Sequence, residues 1–477
     1  MGLAHDGINL EILGAGDERL LRVSAVTSVG LQDFEGIAAE SPVGATLDGP
    51  LTAKNAAAVR AHLPWLRPRP VGLVTSAGVG DRLGLATPGH VAAFRANGQG
   101  IFPVFAQQSI REMERLGRTP QQVMDAATFG CVEASWGSAH GADADHITTT
   151  ESIDQCVDAG FPSFTLDPSN YVRKVANSVS EVTLDDLPWG DLEDDKGSLL
   201  RRYSGLVVDL GDTSLRVDRA AVVRAAVRYG AAVAYALKMY RHVHARADQP
   251  IEIEIAVDET DEVTTYAEHV YWATEMKRLG MTWNGFAPRY IGDFEKGVEY
   301  IGDAKVLHDS LQTHSYIARA LGPYKLSLHS GSDKFSIYGL VAAATERMVH
   351  VKTSGTSYLC ALGVVVDRAP ELFRRIYAVS RDAYRGTRAS YQVSAQIDET
   401  PDASQLHADE LGELLFRRDT RQILHVGYGA VLAQSGLGGN SLANSLRSLL
   451  SSEGSAYELA LKNHLGRHLQ PFSRGAK

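Results

Sequence analysis

Cysteine is scarce: Cys131, Cys156 and Cys360 are the three in a chain of 477 residues, and no two form a CxxC pair. That excludes a disulfide framework and a paired-thiol metal knuckle, and it fits a reducing compartment. Long apolar runs are missing as well; none approaches the roughly 18 residues of a membrane-crossing helix. Positive charge is not in excess, since 47 Lys and Arg stand against 57 Asp and Glu for a net of −10. Nucleic acid and anionic membrane are therefore not expected as partners. Met1–Asp6 has no basic stretch followed by an apolar run, so the expectation is no signal peptide and a cytoplasmic location. No glycine-rich dinucleotide fingerprint follows the first predicted strand, so no NAD is expected.

What is present is ordinary in amount and ordered in placement. Apolar residues make up 44% and charged residues 22%, enough for a large core. Residues 1–66 read as an N-terminal extension with weak patterning. From 67 to 430, short apolar runs alternate with helical stretches: Val71–Thr75, Ile101–Ala106, Phe161–Leu166, Ile251–Val257, Trp283–Pro288, Tyr324–Leu328, Met348–Val351 and Leu424–Val426. Such alternation predicts parallel α/β architecture. The number of units predicts a closed (β/α)8 TIM-like barrel. An acidic, turn-rich piece and a long helical pattern interrupt it at about 175–250, a helical insertion packed on the barrel. Residues 431–477 read as C-terminal helices, where His464 and His468 stand i, i+4 with no third ligand nearby.

Barrel strands alternate between helix-facing and axis-facing side chains, and catalytic groups gather at their C-terminal ends. In Ser163–Asp167 this turns Thr165 and Asp167 inward. In Ile253–Asp258 it turns Glu254, Ala256 and Asp258 inward. In the later strands it selects Ser327 and His329, His350 and Lys352, Ala287 and Arg289, and His425. So many ionisable groups on one axis are costly unless paired or bound. Carboxylates with imidazoles suit a borderline divalent cation: Zn, Mn, Ni or Co. Asp145 and His146, near another strand end, fit a supporting place behind such a site. Arg82, in the turn Gly80–Gly84, and Lys334, in the loop His329–Lys334, offer cations for an anionic ligand.

Seven phrases together resemble the tagaturonate epimerase family, the hexuronate C4-epimerases of bacterial sugar-acid catabolism. They are GDRLGLATP from Gly80, PVFAQQS from Pro103, GADADH from Gly141, FTLDP from Phe164, VDET from Val257, SLHSGSDKF from Ser327 and HVKTSGTSYL from His350. His314 and Glu259 also fall on matching positions. The resemblance implies interconversion of D-tagaturonate and D-fructuronate with a divalent metal, and makes D-tagatose and D-fructose candidate neutral substrates.

These ketoses differ at the carbon β to the ketone, which simple α-proton abstraction does not reach. Retro-aldol cleavage and re-addition does. On this reading Asp167, Glu254, His329 and His350 hold the metal. Asp258 or Glu259 moves the C4 hydroxyl proton, and Lys352 stabilises oxyanion charge, with Asp145 in support. Arg82, Lys334 and Arg289 grip the distal carboxylate, while Gln107 and Gln108 bind sugar hydroxyls. A metal aldolase, an aldose–ketose isomerase and a non-enzymatic sugar-binding protein remain alternatives, and a homo-oligomer stays open.

Overall fold

The computed structural model describes residues 2–15, 18–41, 44–175, 179–433 and 441–475, with nothing said of the side chain of Ser390. Met1, where the expectation about the start of the chain begins, lies outside them, as does the stretch 434–440 near the start of the expected C-terminal helices. Eight parallel strands close into a barrel: β1 (Ser76–Gly78), β2 (Phe102–Ser109), β3 (Gly141–Ile147), β4 (Ser163–Leu166), β5 (Glu252–Ala256), β6 (Gly285–Ala287), β7 (Lys325–Leu328) and β8 (Val349–Lys352). They pair in chain order and β8 closes on β1, with Lys352 opposite Gly78. Outward side chains such as Ile253, Ile255, Leu326 and Leu328 are buried under the helices. Each such side chain contributes roughly 1.5–3 kcal/mol relative to exposure.

Two expected strands move, and one strand was not among the expected runs. The run Val71–Thr75 precedes β1 rather than forming it, because the Val71 and Gly72 backbone N–H groups donate to the Glu252 carboxylate at 2.9 and 2.8 Å. β3 escapes a search for apolar runs because its inward residues are Asp143 and Asp145. Leu424–Val426 is not a strand: it lies inside the helix Arg418–Ala433. A three-residue apolar–polar–apolar triplet fits either periodicity, and here the longer helical context decides.

The N-terminal residues form a five-stranded antiparallel sheet in the order Leu3–His5, Ile8–Leu13, Leu20–Ala25, Gly44–Gly49, Ile37–Ser41. Its buried Leu10, Leu21, Val23 and Leu47 make one apolar face. Between β4 and β5 stands the helix Arg219–Arg246, capped by Asp218, whose carboxylate accepts from the Ala221 N–H at 2.8 Å. Its apolar window is long enough to cross a membrane, but 67% of that window is buried within the fold. Near the C-terminus the helix Gly454–Leu469 packs against the helix Thr87–Asn97.

Candidate active site

Two histidines at the barrel mouth are held in the same way. β3 ends on Asp145 and His146, where the register against β4 shifts and His146 takes a φ of 53°. That left-handed backbone costs a non-glycine residue about 1–3 kcal/mol and persists only where the surroundings hold it. Asp145 Oδ1 holds His146 Nδ1 at 2.9 Å, which turns Nε2 toward the mouth. Beyond β7, His329 Nε2 lies 2.7 Å from Glu254 Oε1, which turns Nδ1 toward the same place. There Asp258 Oδ1 sits 3.0 Å from His329 Nδ1 and 3.5 Å from His146 Nε2. None of these three converging atoms completes a hydrogen bond. Burial opposes charge on both rings, yet the surrounding carboxylates together outweigh it, Asp145 foremost at His146 and Asp258 at His329, so both are raised.

Lys352 joins the two carboxylates behind the histidines. Its ammonium reaches Asp145 Oδ1 at 2.6 Å, Asp143 Oδ2 at 2.8 Å, Glu254 Oε1 at 2.9 Å and Thr165 Oγ1 at 2.6 Å. Burial works against its charge, but Asp143, Asp145 and Glu254 hold it well above the ordinary lysine range. Three carboxylates share one ammonium, and the deficit falls on Asp143, which burial pushes up to about 6. Despite burial, Glu254 and Asp145 are held well below the usual range, chiefly by Lys352. Gly285, opposite Glu254 in the ladder, leaves room for that carboxylate: a Cβ there would meet Glu254 Oε2 at 2.7 Å.

Below this layer a second set of polar groups crosses the axis. His350 Nδ1 and Lys325 Nζ meet at Ser76 Oγ, at 2.8 and 3.0 Å. Glu252 accepts from Ser163 Oγ at 2.7 Å and from the Val71 and Gly72 backbone. Burial drives His350 down to about 3, so the ring stays neutral there.

Above it opens a cavity of about 630 Å³ whose wall includes Asp258, Glu259, Arg111, Arg289, Lys296 and Ser330. Ser109 ends β2 and caps the helix Ile110–Leu116 by accepting from the Glu112 N–H, so strand passes into helix with no linker. That brings Arg111 to the mouth, 2.7 Å from Glu259. Glu259 is lowered against burial, by His146 first. Asp167, whose Oδ1 accepts from the Ser169 N–H at 2.9 Å, is raised by burial. His146, Asp167 and Glu259 offer ligand atoms within 4.8 Å of one another, as do Asp145, His146 and His329.

The tagaturonate epimerase family model matches residues 18–472. A tagaturonate/fructuronate epimerase of Thermotoga maritima is 37% identical over 416 residues, spanning 87% of this chain and 84% of its own. The chain belongs to the tagaturonate epimerase family. Two solved structures of the fructuronate-tagaturonate epimerase UxaE from Cohnella laeviribosi share the fold at 30% identity. The glycerol-bound one gives a TM-score of 0.91 and the native one 0.90, each covering 99% of this chain and 95% of the other.

In this family member the expected site residues divide. Glu254, Asp258, Glu259, His329, Lys352, Asp145 and Asp167 come together at the mouth, and Arg289 lines the cavity above. Gln107 faces inward beside Gly78, its amide without a partner. Five placements differ from expectation. His350 lies a layer below, bound to Ser76. Arg82 is 2% exposed and paired with Glu112, its Nη1 donating to the His425 carbonyl at 3.0 Å, so it offers no free fork. Lys334 is spent on the carbonyls of Glu295, Val298 and Ser332. Gln108, one residue out of phase with Gln107, faces the helices, where its Oε1 accepts from Arg118. His425 rides on a helix, not a strand end. Arg111 and Lys296 were missed because they stand just outside strands, where alternation is silent. The phrase Gln-Gln-Ser-Ile-Arg, a cation just past a polar strand end, was the available signal for the first.

His464 and His468 do gain a third neighbour, Asp333. His468 Nε2 accepts from the Asp333 N–H at 2.9 Å and its Nδ1 donates to the His464 carbonyl at 3.0 Å. Both ring nitrogens are used, and the cluster fastens the last long helix to the loop after β7.

Proposed function

We propose that the protein interconverts D-tagaturonate and D-fructuronate by inverting carbon 4, with a divalent cation held by His146 Nε2, His329 Nδ1 and Asp258 Oδ1. The placing of Asp258 Oδ1 beside both His329 Nδ1 and His146 Nε2 carries this reading. Ligand atoms bonded to one ion at roughly 2.0–2.2 Å stand about 3–3.5 Å apart, and these atoms are 3.0 and 3.5 Å apart where measured. Each imidazole has its other nitrogen on a carboxylate, the arrangement that fixes tautomer and ring direction behind a metal. Two imidazoles and a carboxylate suit Zn, Mn, Ni or Co.

A bound cation supplies Lewis-acid polarisation of the C2 ketone. The residues do the rest. Glu259, on the cavity wall beside Asp258, accepts the C4 hydroxyl proton as the C3–C4 bond breaks. The bonding pair passes to C3 and forms the enolate of the ketone, while C4 becomes an aldehyde. The aldehyde turns about C4–C5, C3 adds to its other face, and Glu259 returns the proton. Lys352 keeps Asp145 and Glu254 in place, so it acts as a positioning residue. Gln107 is free to bind a sugar hydroxyl. The three free cysteines support a reducing, cytoplasmic setting.

Proton NMR of D-fructuronate incubated with chelated and then metal-reloaded protein tests this. The tagato epimer is expected only after reloading, without fragments. Accumulating fragments would make the protein an aldolase. His146→Ala and His329→Ala are each expected to lose bound metal, measured by elemental analysis, together with activity. Metal-replete variants would sink the ligand assignment.

A further inference from the structure

The cavity above the ligand trio holds three cations, and their partners differ. Arg111 faces Glu259. Arg289 donates to the Tyr290 and Gly292 carbonyls at 2.8 and 2.7 Å and pairs with Asp293 at 3.2 Å, while its buried Nε finds no acceptor. Lys296 is half-buried and donates to Ser330 Oγ at 2.7 Å. Among the described residues it has no carboxylate within ion-pair distance. The acidic groups nearby are committed: Glu259, which also feels the Lys296 charge, to Arg111, Glu295 to Arg418 and Gln422, and Asp261 to Lys174. A half-buried ammonium without a counter-anion is costly, and a ligand carboxylate would remove that cost.

The position of this ammonium is fixed from several sides. The Lys296 N–H donates to the Gln392 carbonyl at 3.2 Å. Arg421 Nε donates to the Gly297 carbonyl at 2.8 Å, and Lys334 gathers the carbonyls of Glu295 and Val298 on either side. Lys334 therefore holds the loop that presents Lys296, instead of meeting the substrate itself. Ser330 follows the histidine His329 and has a φ of 49°, a strained backbone that sets its hydroxyl at a fixed offset from that ring.

We infer that Lys296 and Ser330, with the free Nε of Arg289, form the receptor for the distal carboxylate of a hexuronate, and that this receptor sets the preference for the acid over the neutral ketose. The inference rests on the epimerase reading for its substrate, and on the cavity for its chemistry. The carboxylate would displace no existing anion, and it would share the cavity wall with Glu259 while the ketone end faces the ligand trio.

The test compares kcat and KM of wild type and Lys296→Met on D-fructuronate and D-fructose. Charge-assisted hydrogen bonds of this kind are worth about 10- to 100-fold, so KM for the uronate is expected to rise by about that factor. kcat/KM for fructose should fall far less, and Lys296→Arg should recover part of the loss. Equal losses on both sugars, or an unchanged uronate KM, would overturn the receptor. Titration with D-gluconate and D-glucitol separates this from failure of the epimerase reading, because neither reacts. Tighter binding of the acid by wild type, abolished in Lys296→Met, upholds the receptor even if epimerisation proves the wrong reaction. Equal binding of acid and alcohol by wild type overturns it while the epimerase reading stands.

Discussion

Arg82 shows how one side chain can carry the right charge in the wrong place. Its guanidinium meets Glu112, donates to the His425 carbonyl and lies 3.7 Å from the Tyr428 ring centroid. Arg82→Ala would leave Glu112, itself 4% exposed, buried and unpaired. Breaking a buried pair in this way costs about 3–5 kcal/mol. Thermal melts should show that loss, and the remaining folded enzyme should lose uronate and neutral-sugar turnover in equal proportion. A selective loss on the uronate would return Arg82 to the substrate site. At this scale the sequence showed the right residue types but not their partners: Glu254, Asp258 and His329 follow from strand alternation, whereas the neutralisation of Arg82 by Glu112 depends on contacts thirty residues apart. Lys296 lies in an irregular loop that no periodicity describes.

Among the elements, the fastening of the helix Gly454–Leu469 to the loop after β7 has a pH signature. Asp333 is buried, and His464, Arg421 and His468 together hold its carboxyl far below the usual range. A carboxylate depressed in the folded state adds stability that is present above its unfolded pKa, roughly 4, and is lost as the pH falls below that. Asp333→Asn should therefore lower Tm at pH 7, and the gap from wild type should narrow as the pH drops from 4 toward 2. A gap of constant width would mean that the carboxylate charge does not hold the helix. Legibility at this scale followed hydrophobicity. β4, β5, β7 and β8 stand near their apolar runs, because their outward faces are unbroken. β3 does not announce itself, since every second residue is spent on the axis. The triplet around His425 misled because three residues cannot separate a period of two from one of 3.6.

For the molecule as a whole, the proposed cation would tie together the elements that carry His146, His329 and Asp258. Binding to the folded form alone stabilises by mass action, about 2.7 kcal/mol at a hundred times the dissociation constant. Melting temperature should accordingly rise with added Mn²⁺ or Zn²⁺ after chelation, and it should stop responding in His146→Ala. An equal response in that variant would place the cation elsewhere. The barrel was legible from the alternation of strands and helices, although the eight expected runs included the helical triplet Leu424–Val426 and left out β3.

The floor built from Ser76, Glu252, Lys325 and His350 has one more consequence. It sets a polar layer across the lower barrel, opposite the mouth where the uronate tail is proposed to anchor. On the proposed retro-aldol route, an aldehyde fragment held by its own carboxylate would turn in place before it could leave. Inversion without leakage would then owe as much to how the tail is held as to the chemistry at the mouth.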